Sequence, residues 1–420
     1  MGSVYQQHKS RTMKSDKALS IYIFLVLFIF QSGMKIPLFF FLTGNSKYIF
    51  AVVLLIIGAI YGMKRKKLSS NGIGLSIFWW LFIALVCSVF MAEIAWGQSY
   101  GISIELYRNN IWILFLPVLL SLQPSMKAIG NALYWLVITA LIVWIGNVTG
   151  VIPPVFHETI WGEVLDSTNE FGGYAVPAER MMVFAFYFFL GNLTTEFTKI
   201  NIFRTVLAFI LVLFTTQRSL IFISLPILIY AIFFKMNLSR NNQILIACSL
   251  IVILSVFFVQ TQEVWLGFFE ETQSQLGDKD YNRWKAIDYF LNNYGNGIFT
   301  TLFGNGFLSL RNSGGVALYE LGYSGIFIDD IGMIGVWVRY GIIPIIIQYY
   351  LVIKVLFSRT MPISLKFFCI HIGVLPTAWT LIGPHYFAFI LFIYMYCYFK
   401  DKRYKYNAKL ITIQNNTHYV

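Results

Sequence analysis

Five arginines and a pair of adjacent aspartates are the residues of this chain whose types and placement carry chemistry. Arg218 stands in FTTQRSLIF, Arg180 in PAERMMVF, Arg283 in YNRWKAIDYF and Arg311 in LSLRNSGG. Asp329 and Asp330 follow in IFIDDIGMIG, and Arg339 comes nine residues after Asp330 in VWVRYGI. Guanidinium forks match phosphate oxygens bidentately, and a nearby carboxylate can take a proton from an attacking hydroxyl. Such a set fits the binding and reaction of an anionic, lipid-linked phosphate. Each residue also has a plainer reading. An arginine at a helix end can snorkel to an interface, which applies most to Arg180. Arg339 can pair with Asp329 or Asp330, and Arg283 can be a solvated loop charge. Aspartates at the start of a helix complement its dipole.

The elements that must position these residues are set by composition. Of 420 residues, 58% are hydrophobic and 12% charged, against about 45–50% and 25% in soluble domains. Forty Phe, 25 Tyr and 11 Trp exceed what a water-facing surface tolerates. A soluble enzyme, a disordered chain and an ordinary nucleic-acid binder are excluded, leaving an all-α polytopic membrane protein. Apolar runs of spanning length number about twelve: 18–33, 36–63, 73–92, 109–121, 128–148, 181–194, 205–217, 219–235, 243–260, 331–353, 366–383 and 386–399. With both termini cytoplasmic, 21 of the 31 Lys and Arg fall inside, whereas 16 of the 19 Asp and Glu fall outside. Lys/Arg bias is what orients spans during insertion. The net charge of +12 therefore reflects topology, and the expected partners are membrane lipids and not nucleic acid.

The chain reads as one transmembrane domain, 1–420, with two outside loops long enough to act: 149–180 and 261–330, the larger one before the tenth span. All seven candidate charges face that outside. In the larger loop, Trp284, Ile287 and Leu291 have helical spacing and predict a surface or re-entrant helix. Residues 295–325 hold eight of the 31 glycines and predict a turned, backbone-exposed segment approaching a polar ligand. Trp284, Tyr319 and Tyr323 are candidates for stacking on sugar faces, and packing against lipid explains them equally. The four cysteines lie in apolar spans, no metal-ligand spacing appears, and no nucleotide-binding loop is present. No cofactor and no metal are implied, and no internal repeat supports an inverted-repeat transporter.

This architecture resembles the O-antigen polymerase and O-antigen ligase superfamily. Gln-Arg-Ser at 217–219, Asn-Arg-Trp at 282–284 followed by LFGNGF at 302–307, and the stretch from Asp330 to Ile343 are similar to its short motifs. Ligases of that family carry histidine where Asp330 stands, so the resemblance favours a Wzy-type polymerase. It implies a glycosyltransferase of the bacterial inner membrane, with its active site facing the periplasm. There the acceptor hydroxyl of one undecaprenyl-diphosphate-linked oligosaccharide displaces the lipid diphosphate of another. Arg218 and Arg283 would hold the diphosphate, Asp330 or less favourably Asp329 would be the base, and Arg180, Arg311 and Arg339 would support the substrate. A flippase and a chain-length regulator are the partners the family implies. A ligase of the same fold is the first alternative, and a transporter or flippase of lipid-linked saccharides is the alternative from another class.

Overall fold

A computed structural model describes residues 2–31, 46–64, 72–152, 157–158, 164–165, 176–215, 218–236, 238–260, 273, 282–294, 297–374 and 387–401. The described residues are almost wholly helical; the exception is a two-residue antiparallel pair, β1 (His157–Glu158) with β2 (Val164–Leu165), in the first predicted loop. They fall into two compact units, Met1–Leu54 with Pro124–Lys279, and Leu55–Gln123 with Asp280–Val420.

The first unit contains α1 (Gly2–Phe30), α6 (Met126–Val148), α7 (Glu179–Thr195), α8 (Lys199–Leu213), α9 (Arg218–Phe234) and α10 (Arg240–Gln260). Helix α2 (Ser46–Lys64) is divided after Leu54, its first part belonging to the first unit and the rest to the second. Helix α7 is apolar on every side, and each residue from Met181 to Gly191 is buried, as expected of a helix enclosed by others. It packs on α6, α8 and α9. The Tyr187 and Ser224 hydroxyls, both buried, bond at 3.0 Å and tie α7 to α9. Helix starts are written in the sequence: Ser125 and Thr198 cap α6 and α8 by accepting from Ala128 N (3.1 Å) and Asn201 N (3.2 Å). Such caps contribute about 1 kcal/mol each. On α8, Arg204 donates to Asn131 Oδ1 at 3.1 Å and lies 4.8 Å from the Tyr134 ring.

The second unit is built on α3 (Gly72–Trp96), followed by α4 (Tyr100–Tyr107), a 3₁₀ turn (Arg108–Leu114) and α5 (Phe115–Leu122). Its later part holds α11 (Asn282–Asn292), α12 (Ile298–Phe303), α13 (Ser313–Tyr323), a 3₁₀ turn (Ile328–Ile331), α14 (Met333–Tyr340), α15 (Ile343–Leu356), α16 (Ile363–Val374) and α17 (387–401). Helices α12, α14 and α15 all pack on α3.

Among the described residues, three helices are long and apolar enough to cross a membrane: Ser46–Met63, Gly72–Trp96 and Met126–Val148, with mean hydropathies of 1.9, 2.3 and 2.0. Shorter apolar helices lie at Asn110–Leu122, Leu220–Phe234, Ile343–Leu356 and Ile363–Val374. Large side chains such as Trp79, Trp80, Ile94 and Ile142 are exposed on the long helices. In water, each would forgo about 1.5–3 kcal/mol of burial; against lipid there is no such loss. This is an all-α membrane protein.

One expectation needs correction, and a second is made more specific. The predicted tenth span, 331–353, is not one helix: α14 ends at Tyr340, Gly341 takes φ +78°, and α15 restarts at Ile343 with Pro344 in its first turn. The reason is local. A Cβ at Gly341 would sit 2.1 Å from the Leu302 carbonyl oxygen, so the chain needs both the left-handed geometry and the missing side chain. The helix expected in the larger loop is present as α11, but Trp284 and Leu291 are exposed and Ile287 only half-buried. The buried face is instead Ala286 and Phe290, packed with Tyr294, Ile328, Ile331 and Val338. The predicted spans over 32–45 and 375–386, and loop residues 261–272 and 274–281, lie outside the described residues.

Candidate functional site

The glycine-rich segment of the larger loop is anchored to protein. Gly304 and Gly306 take φ +80° and +82°, and Asn305 lies buried between them. Asn305 N donates to the Val338 carbonyl (2.7 Å) and Gly306 N to the Arg339 carbonyl (3.0 Å). Ile342 N donates to the Leu302 carbonyl at 3.2 Å, and Trp337 Nε1 to the Thr301 carbonyl at 2.8 Å. Residues 301–306 and 337–342 are thus zipped backbone to backbone. From the other side, Ser88 Oγ on α3 donates to the Arg339 carbonyl at 2.8 Å. A Cβ at Gly304 would lie 2.3 Å from the Arg339 oxygen; one at Gly306 would lie 2.5 Å from Ala92 Cβ and 2.7 Å from the Ser88 oxygen. Backbone-exposed glycines reaching toward a ligand were expected here. These glycines instead let three chain segments touch.

The turn after α3 extends this anchor. Gln98, buried, donates from Nε2 to the Phe307 carbonyl (2.9 Å) and accepts from Ser309 N at Oε1 (2.7 Å). Asn312 Nδ2 donates to the Trp96 carbonyl at 2.7 Å, while its Oδ1 accepts from Gly314 N and caps α13.

This frame carries Arg339. Its backbone is fixed by the bonds to its carbonyl, and its guanidinium lies 4.5 Å from the centre of the Phe307 ring. Tyr294 stacks on Trp96 at 5.2 Å and meets Phe290 edge-on. Burial pushes its phenol well above the ordinary value, and the Arg339 charge pulls the opposite way. Tyr107, bonded to Ser88 Oγ, sets its ring against Tyr340 at 5.8 Å. Arg339 is therefore a positive charge set among aromatic rings on a rigid support.

The other candidates are placed as follows. Arg311, exposed, lies on Glu105 of α4 at 3.4 Å, and Arg108 reaches the same carboxylate at 3.9 Å. Exposed pairs of this kind contribute about 0–1 kcal/mol. Arg311→Ala is accordingly expected to shift the melting temperature of the detergent-purified protein by less than about 2 °C, as read by a thermal scan. Arg283 and Trp284 are exposed in the first turn of α11. Tyr319 and Tyr323 stand one turn apart on α13 with hydroxyls bonded at 2.7 Å and rings edge-on. Asp329 and Asp330 lie in the 3₁₀ turn Ile328–Ile331, and their side chains are outside the described residues. In the first unit, Arg180 is half-buried in the opening turn of α7, and Arg218 is the first residue of α9, its side chain outside the described residues. The second unit therefore holds Arg283, Arg311, Arg339 and both aspartates.

Sequence reasoning missed Ser88, Trp96, Gln98, Tyr107 and Asn312. Ser88 gave a signal, a polar group inside an apolar span. Gln98 and Asn312 gave none, because their partners lie about two hundred positions away along the chain. Compared with known proteins, the chain matches no family model, no curated protein and no solved structure.

Proposed function

We propose that this protein is a membrane-embedded polymerase of lipid-diphosphate-linked oligosaccharide repeat units. It would work on the periplasmic side of the bacterial inner membrane, with about twelve spans and both termini cytoplasmic. The observation that carries the reading is Arg339: a guanidinium 4.5 Å from the centre of the Phe307 ring, on a backbone whose carbonyl is held by Ser88 and Gly306. Preorganised charge is what stabilises a leaving diphosphate, and a guanidinium fork matches its oxygens bidentately. Supporting this are the segregation of acidic residues to one side of the chain and the resemblance of 217–219, 282–284, 302–307 and 330–343 to polymerase motifs.

In this mechanism the acceptor hydroxyl oxygen bonds to the donor's anomeric carbon. The bond from that carbon to the diphosphate oxygen breaks, and its electron pair leaves with the lipid diphosphate. Arg339 and Arg283 receive that negative charge, and Asp330 takes the hydroxyl proton. Arg180 and Arg218 are assigned the same class of ligand, an anionic lipid diphosphate. Energy comes from the sugar–phosphate bond.

The test uses purified protein in nanodiscs with lipid-diphosphate-linked repeat units, the products being separated on a gel. A ladder of multiple repeats from the wild type, absent with Asp330→Asn, is the expected result. Single transfer appearing only when a lipid A-core acceptor is supplied would make the protein a ligase. No new glycosidic bond under either condition would overturn the enzyme reading in favour of a transporter.

A further inference from the structure

The larger loop reads as a segment outside the membrane, yet the geometry points to part of it lying within. Helix α3 has 25 residues and at about 1.5 Å per residue is roughly 37 Å long. The hydrocarbon layer is about 30 Å thick, so a centred α3 projects by only about 4 Å at each end. Ser88 is eight residues before the last residue of α3, Trp96, hence roughly 12 Å from that end and about 8 Å beneath the hydrocarbon boundary. The Arg339 carbonyl is bonded to Ser88, and Gly306 packs on Ala92, one turn higher.

We infer that α12, the Gly304–Gly306 turn and the end of α14 are sunk into the leaflet at the C-terminal end of α3. There α12 presents its outer face to lipid acyl chains. Two further observations agree. The backbone N–H groups of Gly304, Asn305 and Gly306 all find carbonyls within the chain, as an apolar medium demands. Gly304 N donates to Thr300 O at 2.8 Å, Gly341 N to Trp337 O at 2.8 Å and Thr301 Oγ1 to Gly297 O at 3.1 Å, besides the zipper bonds. Three of the four exposed side chains of α12 are apolar, Ile298, Phe299 and Leu302 at 69%, 66% and 40% exposure, and the fourth, Thr301, turns its hydroxyl onto the Gly297 carbonyl. At the same level of α3, Phe90 and Ile94 are exposed as well, so apolar surface is presented by both elements. A water-facing loop would show the opposite pattern. The inference concerns depth alone and stands or falls apart from the proposed reaction.

Site-directed spin labelling tests it. Single cysteines carrying a nitroxide would replace Ile298, Phe299 and Leu302 in turn, in a chain whose four native cysteines are changed to alanine. The protein would be reconstituted in liposomes, with Phe90 and Tyr323 labelled as lipid and water references. Power saturation should give an oxygen accessibility several-fold above that of a water-soluble nickel chelate at all three positions, as at Phe90. A chelate-dominated signal, as at Tyr323, would overturn the inference. So would exclusion of both reagents, the outcome if another part of the chain such as 261–281 covers α12. Three separate positions keep the test decisive where one variant fails to fold.

Discussion

Gly306→Val is expected to lower the melting temperature of the purified protein by about 2–6 °C or to prevent its isolation as a single species. Valine in the left-handed region costs roughly 1–2 kcal/mol. The new Cβ would also stand 2.5 Å from Ala92 Cβ and 2.7 Å from the Ser88 carbonyl oxygen. Overpacking of this kind typically adds about 1–3 kcal/mol. The sum is a large part of a stability of about 5–15 kcal/mol. Relief is not local, since Gly306 is bonded to Arg339 and Arg339 to Ser88. The control is Gly101→Ala on α4, where an added Cβ meets nothing within 4 Å; there alanine should leave stability equal or slightly higher. An unchanged melting temperature for Gly306→Val would show that this junction is not formed.

Arg339→Ala is expected to behave in the opposite manner, keeping the fold and losing the reaction. The bonds from Ser88 and Gly306 end on the Arg339 backbone carbonyl, which the substitution preserves. Loss of stacking on Phe307 costs about 1 kcal/mol, a shift of a few degrees. Removing a preorganised donor to developing charge costs about 10²–10³ in turnover, so polymer ladders should shrink to trace amounts. Arg339→Lys should not restore them, because an ammonium lacks the planar fork that both stacks and grips. Full activity in Arg339→Ala would remove this residue from the mechanism. Joint loss of activity and melting temperature would make its role structural.

Helices such as α3 and α6 were legible in the sequence because a continuous apolar run is itself the requirement for spanning. The break at Gly341 was not, since hydropathy averages over the window and is blind to a carbonyl arriving from Leu302, 39 positions earlier along the chain. The same blindness affects the glycines at 304 and 306. Composition shows that a side chain is missing but not whether ligand or protein fills the space. Arg339 was legible as a charge in an apolar stretch, and Arg311 equally so, yet one stacks on Phe307 and the other lies on exposed Glu105. What separates them is tertiary contact. The aromatic surroundings of Arg339 come from Phe307, Tyr294 and Tyr107, each more than thirty positions from it along the chain, and no local pattern announces them.

The bond between Ser88 and Arg339 spans 251 positions, and that separation has a cost in time. A ribosome adding about 5–20 residues per second takes roughly 10–50 s to travel from one to the other. Helix α3 therefore enters the bilayer with the surface formed by Ser88, Ala92 and Trp96 unpacked. Trp96 and Ala92 wait for Tyr294 and Gly306, and the Ser88 bond to Arg339 forms only once α14 has been made. A chain released before Tyr294 covers none of Ala92 and Trp96, and such truncated products are the ones that membrane quality control must recognise and clear.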